Sequence, residues 1–266
     1  MKGKLIGQGY TAEIFEWGTG KILKLYRREL PDGMCAPEFE TTRAAYEALK
    51  IAPEPYETVS IDGRPGAVYE RVNGVTLLKL MLLKLWRSDM YCKMFAECHA
   101  SIHKVAHTMA ETLKQKLRRD IENAPRLTAR EKRFVLEYLE ALPDGAAVCH
   151  FDFHPGNIMI SKGRLYVIDW MTACAGDPPA DVARTLLILG YSEIPGLPVF
   201  ISRLTGKLKR DISGRYLREY IKLTGADPAD IKKWELPVAA ARLHEWIPEE
   251  ESDKLLALVR RECKCQ

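Results

Sequence analysis

The sequence predicts an α+β chain of two lobes, an antiparallel-sheet first lobe at residues 1–73 and a mainly helical second lobe at residues 74–266. Three observations carry that expectation. Alternating apolar and polar residues broken by glycine turns fill the first part, Asn73-Gly74 interrupts the pattern, and helix signals dominate the rest of the chain. A length of 266 residues is comfortable for two domains. The 47% hydrophobic and 29% charged fractions belong to an ordinary folded chain and exclude wholesale disorder.

Residues 4–26 read as a meander. A strand reaches Ile6, glycines follow at 7 and 9, and a second strand passes through Ile14 and Phe15; after Gly18-Thr19-Gly20 comes Ile22-Leu23-Lys24-Leu25-Tyr26. Residues 38–49 are expected as a helix ended by Pro53 and Pro55, and residues 57–61 and 67–72 as a hairpin around Asp62-Gly63-Arg64-Pro65-Gly66. The apolar run 75–86 carries Lys79 and Lys84 and is too short to span a bilayer, so a helix or a turn and helix is expected. Residues 90–117 form a long helical stretch, and Thr128-Ala129-Arg130-Glu131 is a capping box opening a helix to about residue 141. A second hairpin is expected from residues 157–160 and 165–168 around Lys162-Gly163. Pro178, Gly196, Gly214, Pro228 and Pro248 punctuate a helical remainder without internal repeats.

The net charge of +4, from 40 basic and 36 acidic residues, is too small to argue for nucleic acid or a membrane as partner, and neither is expected. Lys114, Lys116, Arg118 and Arg119 alternate with Leu113 and Leu117 at helical spacing and read as a solvated face. Seven cysteines form no paired framework and no signal sequence precedes Met1-Lys2-Gly3-Lys4, so reduced thiols and a cytoplasmic location are expected. Cys263 and Cys265 read as two thiols of a frayed tail. No oligomeric state follows from the sequence.

The chemistry concentrates in Asp152, Asn157 five residues later, and Asp169 at the end of the second hairpin. Phosphoryl transfer needs a carboxylate beside the acceptor hydroxyl and hard oxygen ligands to hold Mg²⁺ against a triphosphate. Pro155 and Gly156 force a tight loop between Asp152 and Asn157, and the hairpin returns Asp169 to the same edge. Asp152 is therefore assigned as the acceptor-orienting base, with Asn157 and Asp169 as metal ligands.

The segments Leu142-Pro143-Asp144-Gly145, Cys149-His150-Phe151-Asp152-Phe153-His154-Pro155-Gly156-Asn157-Ile158 and Val167-Ile168-Asp169-Trp170 resemble the catalytic core of the aminoglycoside phosphotransferase and choline kinase-like family. The likeness is greatest to a bacterial branch of undefined substrate and fades only after about residue 190. It implies a protein-kinase-like fold and a kinase using ATP, with GTP as an alternative donor, and Mg²⁺. The acceptor it implies is a hydroxyl of a small, amine-bearing molecule. It assigns His150 to buttressing the catalytic loop and Asp181 to supporting it, although Asp181 also reads as a first-turn carboxylate favoured by the helix dipole.

The glycine loop Gly7-Gln8-Gly9-Tyr10-Thr11-Ala12 would cradle the phosphates, Gly7 and Gly9 by close backbone approach and Thr11 by its hydroxyl. Lys24 on the third strand would contact them, paired to Glu40 rather than Glu38 by helix geometry and the family pattern. Its place between Leu23 and Leu25 also allows a solvated strand lysine. In Val68-Tyr69-Glu70-Arg71-Val72 the Glu70 carbonyl and the Val72 amide and carbonyl would contact adenine, unless the segment is only a strand ending in a turn.

Departures from protein kinases are Phe151 where an arginine is usual, Trp170-Met171 after Asp169, and no Ala-Pro-Glu segment; all disfavour control by phosphorylation. Two rival readings stand beside this one: a non-catalytic nucleotide-binding regulator, and a zinc hydrolase built on His150, Asp152 and His154. His99 and His103 lie at i and i+4, but position 100 is Ala and not the glutamate of a metallohydrolase helix, so a buried helix face is preferred. Glu245, Glu249, Glu250 and Glu251 offer either a site for an amine or a solvated acidic tail.

Overall fold

The structure, a computed structural model, describes residues 2–9, 11–28, 34–191 and 199–264, the side chains of the last stretch from residue 208. The chain divides into two compact units, residues 1–82 with 155–173, and residues 83–154 with 174–266.

The first unit is built on β1 (Lys2–Gln8), β2 (Ala12–Trp17), β3 (Lys21–Tyr26), α1 (Cys35–Leu49), β4 (Pro55–Ile61) and β5 (Arg64–Glu70). The strands form one antiparallel sheet in the order β1-β2-β3-β5-β4. Side chains on a strand alternate between faces, so β3 sends Leu23 and Leu25 one way and Lys24 and Tyr26 the other. Leu23 and Leu25 join Phe15 and Val68 in one apolar cluster. Tyr26 joins Ala67 and Tyr69 against Cys35 and Phe39 of α1, so Lys24 belongs to the helix-covered face. The hairpin turn places Asp62 at φ 53° and Gly63 at φ 73°, the pair of left-handed residues that a two-residue turn demands.

β6 (Val75–Thr76) and α2 (Leu77–Leu83) come next, so the apolar run is a turn and helix. The second unit then opens with α3 (Ser88–His103), α4 (Leu113–Glu122), α5 (Ala129–Glu140) and β7 (Ala147–Cys149). The single helix expected over residues 90–117 is two. Thr112 caps α4, accepting from the Gln115 amide at 3.3 Å while the Gln115 side chain accepts from the Thr112 amide at 2.9 Å. That reciprocal pair fixes a new helix start. Between the helices the chain is extended, and the Val105 carbonyl accepts from Val148 of β7. The capping box at Thr128 and Glu131 forms as its sequence suggests.

β8 (Ile158–Ser161) and β9 (Arg164–Val167) return to the first unit, where β6 pairs with β8 and β8 with β9. The boundary expected at residues 73–74 therefore falls inside a unit. Gly74 makes this pairing feasible, since a Cβ there would lie 2.6 Å from the Ile160 carbonyl oxygen. β10 (Cys174–Gly176) pairs with β7, and α6 (Pro178–Tyr191), α7 (Val199–Thr224), α8 (Pro228–Arg242) and α9 (Glu249–Lys264) complete the second unit.

Gly214 does not end a helix but lies within α7. Its cost of roughly 1 kcal/mol is outweighed by the burial of Ile212, Tyr216 and Tyr220 on the same helix. Gly196 and Cys265 lie outside the described residues. Cys35, Cys92, Cys98, Cys149 and Cys174 are buried free thiols, and Cys263 is half-buried. Among the described residues no helix is long and apolar enough to cross a membrane.

Replacing Gly74 by Ala is expected to destabilise the protein by about 1–3 kcal/mol through overpacking against backbone. An unchanged urea midpoint would show that the β6–β8 edge can shift to admit a methyl group.

Candidate active site

In the first unit a cavity of 690 Å³ is lined by residues from every part of its sequence, among them Gly7, Gly9, Lys24, Glu70, Val72, Asn157 and Asp169. Thr11 is not among the lining residues; its carbonyl accepts from the Arg27 amide at 3.0 Å.

Lys24 reaches the cavity from the α1 face of the sheet, its side chain 14% exposed. Its ammonium pairs with Glu38 and lies 3.6 Å from Asp169 Oδ1. Burial works against the charge, but the Asp169 and Glu38 carboxylates outweigh it and hold the lysine above its ordinary pKa. Tyr26 also donates to Glu38, and burial together with that carboxylate raises the phenol well above its usual range.

The partner of Lys24 is thus Glu38 and not Glu40. Cys35, Glu38, Phe39, Thr42 and Ala45 form the buried stripe of α1, while Glu40 is half exposed and pairs with Arg43 one turn on. Counting that stripe at helical spacing identifies Glu38 from the sequence.

β5 ends at the cavity. The Glu70 amide donates to the Glu54 carbonyl at 2.8 Å, and the Glu70 carboxylate accepts from Tyr166 at 3.2 Å. Among the described residues no hydrogen bond reaches the Val72 backbone.

The second hairpin brings Asn157 and Asp169 to the same cavity, for the Ile168 amide donates to the Asn157 carbonyl at 2.9 Å. Asp169 has φ 64°, a left-handed conformation uncommon outside glycine. It is held from behind by Trp170, fully buried, whose indole donates to the Val167 carbonyl at 2.7 Å. Asp169 offers a carboxylate 43% exposed and Asn157 an amide oxygen. One hard anionic ligand and one neutral oxygen in a cavity with room for phosphate groups fit Mg²⁺, which binds few protein groups and completes its shell with water and phosphate.

In the second unit the loop carrying Asp152 hangs from α6. Asp181, fully buried, accepts the amides of His150 at 2.6 Å and Phe151 at 3.0 Å. Arg184 donates to the Phe151 carbonyl at 2.8 Å and Thr185 to the Phe153 carbonyl at 2.9 Å. The Asp152 amide donates to His150 Nδ1 at 3.2 Å. Held this way, Phe151 adopts φ 59°. The Asp152 side chain is about one-third exposed, 3.8 Å from His154 Nε2.

Behind Asp181 stand His99 and His103, their Nε2 atoms 3.1 and 3.2 Å from its Oδ2, the first without hydrogen-bond alignment. Tyr216 and Tyr220 meet their Nδ1 atoms at 2.6 and 2.7 Å. Burial, with His103 adding to it, lowers the pKa of His99 from 6.5 to about 3. Burial opposes the charge on Asp181, yet the two imidazoles hold its carboxyl well below the carboxylate range. This is the buried helix face preferred from the sequence, and of the residues that support the loop His150 and Asp181 are signalled there but Arg184 and Thr185 are not. His150, Asp152 and His154 do not bring three donor atoms together, the one such group among the described residues being His99, His103 and Asp181.

The acidic residues near the end of the chain are not a uniform tail. Glu245 is bound by Arg184 at 2.6 Å and Arg242 at 2.9 Å, and Glu251 is buried against Arg242 at 2.7 Å. Burial opposes the Glu245 charge, but Arg184 outweighs it and lowers the carboxyl pKa. Of these four glutamates Glu249 and Glu250 are exposed.

An antiparallel sheet with its covering helix, a loop carrying an aspartate and a helical remainder define the protein-kinase-like fold. Residues 2–199 match the model of the phosphotransferase enzyme family, and the chain belongs to that family. No curated protein matches it by sequence. Among solved structures it is similar to aminoglycoside phosphotransferase APH(4)-Ia, at 17% identity and a TM-score of 0.64 over 98% of this chain and 91% of that one. It is similar also to a choline/ethanolamine kinase family protein from Mesorhizobium loti, at 17% identity and a TM-score of 0.60 over 97% and 86%. The streptomycin–ATP complex of APH(2″)-IIa aligns at 17% identity and a TM-score of 0.58 over 97% and 90%.

Replacing Glu38 by Gln leaves the buried ammonium with Asp169 alone and is expected to cost about 2 kcal/mol, whereas Glu40→Gln is expected within about 0.5 kcal/mol of the parent. A loss at Glu38 no larger than that at Glu40 in chemical denaturation would count against the Lys24–Glu38 pair. His99 is neutral when folded, so between pH 6.5 and about 3 the unfolded chain binds a proton that the folded chain refuses. Stability is therefore expected to fall as pH drops below 6.5, by up to roughly 1.4 kcal/mol per pH unit from this residue, and Asp181 adds to the loss only below the ordinary carboxylate range. Unfolding of a His99→Asn variant across this window should show a shallower slope; an unchanged slope would remove His99 from the cause.

Proposed function

We propose that the chain is a small-molecule kinase that transfers the γ-phosphoryl group of ATP, with GTP as an alternative donor, to a hydroxyl of a small acceptor. The observation that carries this reading is the meeting of Lys24, Asn157 and Asp169 in one cavity with the glycine loop and the end of β5. Solved relatives of the same fold are described with ADP or AMP-PNP together with hygromycin B, which supports a nucleotide and a small acceptor.

In this reading the Val72 backbone and the Glu70 carbonyl hold the base, and Gly7 and Gly9 let the chain approach the phosphates. Lys24, kept charged and aimed by Glu38, binds phosphate oxygens. Asn157 and Asp169 hold Mg²⁺, which when bound neutralises charge on the phosphate oxygens. Asp152 orients the acceptor hydroxyl and receives its proton as the acceptor oxygen bonds to the γ-phosphorus and the bond from that phosphorus to the bridging oxygen breaks, releasing ADP. His150 and Asp181 act by positioning the loop. An amine on the acceptor is compatible with the exposed Glu249 and Glu250, while Glu245 and Glu251 are engaged by arginines.

Asp152→Asn is expected to lower turnover at least roughly a hundredfold, by removing the proton acceptor, while ATP·Mg²⁺ still raises the melting temperature. ATP consumption would be screened over hydroxylated amines, sugars and antibiotics. Undiminished turnover in the variant would remove Asp152 from the mechanism, and a wild-type chain that ATP·Mg²⁺ stabilises but that turns over no acceptor would favour a non-catalytic regulator.

A further inference from the structure

The segment leading into α3 exposes apolar surface to an unusual degree. In the second unit Leu83, Leu85, Trp86 and Met90 are 61%, 54%, 78% and 43% exposed. On α2, in the first unit, Leu78 and Leu82 are 41% and 53% exposed, one helical turn apart. Isolated surface leucines are ordinary, but a run of them around a tryptophan marks a surface that meets something apolar.

Its charge is equally one-sided. Lys79, Lys84 and Arg87 interrupt the apolar residues, and no Asp or Glu stands between Glu70 and Asp89. Among the described residues no carboxylate pairs with these three cations, whereas Asp89 is engaged by Arg215.

We propose that this segment docks the protein reversibly on the surface of an anionic lipid bilayer. Leucine and tryptophan insert at the headgroup boundary while lysine and arginine meet the anionic headgroups, the combination by which surface-lying segments bind membranes. A second copy of the chain fits less well, because a two-fold pairing would set these cations against their own kind. Side chains raised more than half out of the surface also suit insertion among headgroups better than burial on a flat protein face. The helix is seven residues long, so it lies on the bilayer and does not cross it. The chain-wide charge of +4, which argues against a membrane partner, averages out this local excess.

The test is flotation of the intact protein with vesicles of phosphatidylcholine alone or with phosphatidylserine. Each cation near an anionic surface strengthens partitioning roughly fivefold, so three predict a preference on the order of a hundredfold for the anionic vesicles, weakened by high salt. Leu83→Ser with Leu85→Ser, and separately Lys84→Glu with Arg87→Glu, should each reduce flotation at least about tenfold. Leu83, Leu85 and Arg87 are exposed and Lys84 is half-buried, and an unchanged circular dichroism spectrum and melting temperature will show that the variants fold. Equal binding to both vesicles, binding to neither, or variants that float like the parent would overturn the proposal. So would sedimentation showing that the same substitutions dissolve a dimer while the parent fails to float.

Discussion

The second unit depends on one buried anion. Asp181 has no contact with solvent, and an unpaired carboxylate in that position would be prohibitively costly. Its oxygens instead receive two consecutive backbone amides from the loop, with two imidazoles behind them. Consecutive amides can point at one carboxylate only if the chain turns sharply between them, and the left-handed Phe151 is that turn. The conformation that presents Asp152 is thus imposed by the solvation requirement of a residue on a different helix.

The first unit uses a similar device. Asp169 also has a positive φ, and its neighbour Trp170 is wholly buried with its indole committed to the preceding strand. In both places a non-glycine residue in a sparsely populated conformation adjoins a large buried aromatic or a buried ion, which over-determines the backbone. Such conformations persist only where the surroundings compel them. The two aspartates assigned to chemistry are each positioned by a neighbour that has no chemical part to play.

Much of this architecture is readable from residue order alone. The second hairpin closes on Lys162-Gly163 as its glycine suggests, whereas the first closes on Asp62-Gly63 alone and not over the five residues 62–66, because Asp-Gly accepts two left-handed residues and lets β5 begin at Arg64. The trio Asp152, Asn157 and Asp169 stands out by residue type and spacing, whereas Gly7 and Gly9 stand out only in company with Lys24. Tertiary contacts hide the remainder. The break between α3 and α4 arises because residues 105–106 pair with a three-residue strand distant in sequence, which no local pattern announces. Gly214 is a poor helix former in isolation, but Ile212 before it and Tyr216 and Tyr220 after it bury enough surface to carry α7 through it. Glu38 is an exception, legible in the spacing of the buried α1 stripe, and the preference for Glu40, drawn from helix geometry and the family pattern, reads the helix from its exposed side. The histidines behind Asp181 can be recognised as buried, but not their tyrosine partners, which come from a helix more than a hundred residues on.

The relay of ions from Phe151 to α9 has a consequence for how the molecule is made. Arg184 grips the Phe151 carbonyl and Glu245, Glu245 shares itself with Arg242, and Arg242 is neutralised by the buried Glu251. Until Glu251 leaves the ribosome, two guanidinium groups compete for a single carboxylate, and neither can be buried at low cost. The loop that carries Asp152 therefore acquires its full scaffolding only when translation has passed Glu251 of α9, so a nascent chain that already holds Asp152 is still short of the counterion that completes the support of its loop.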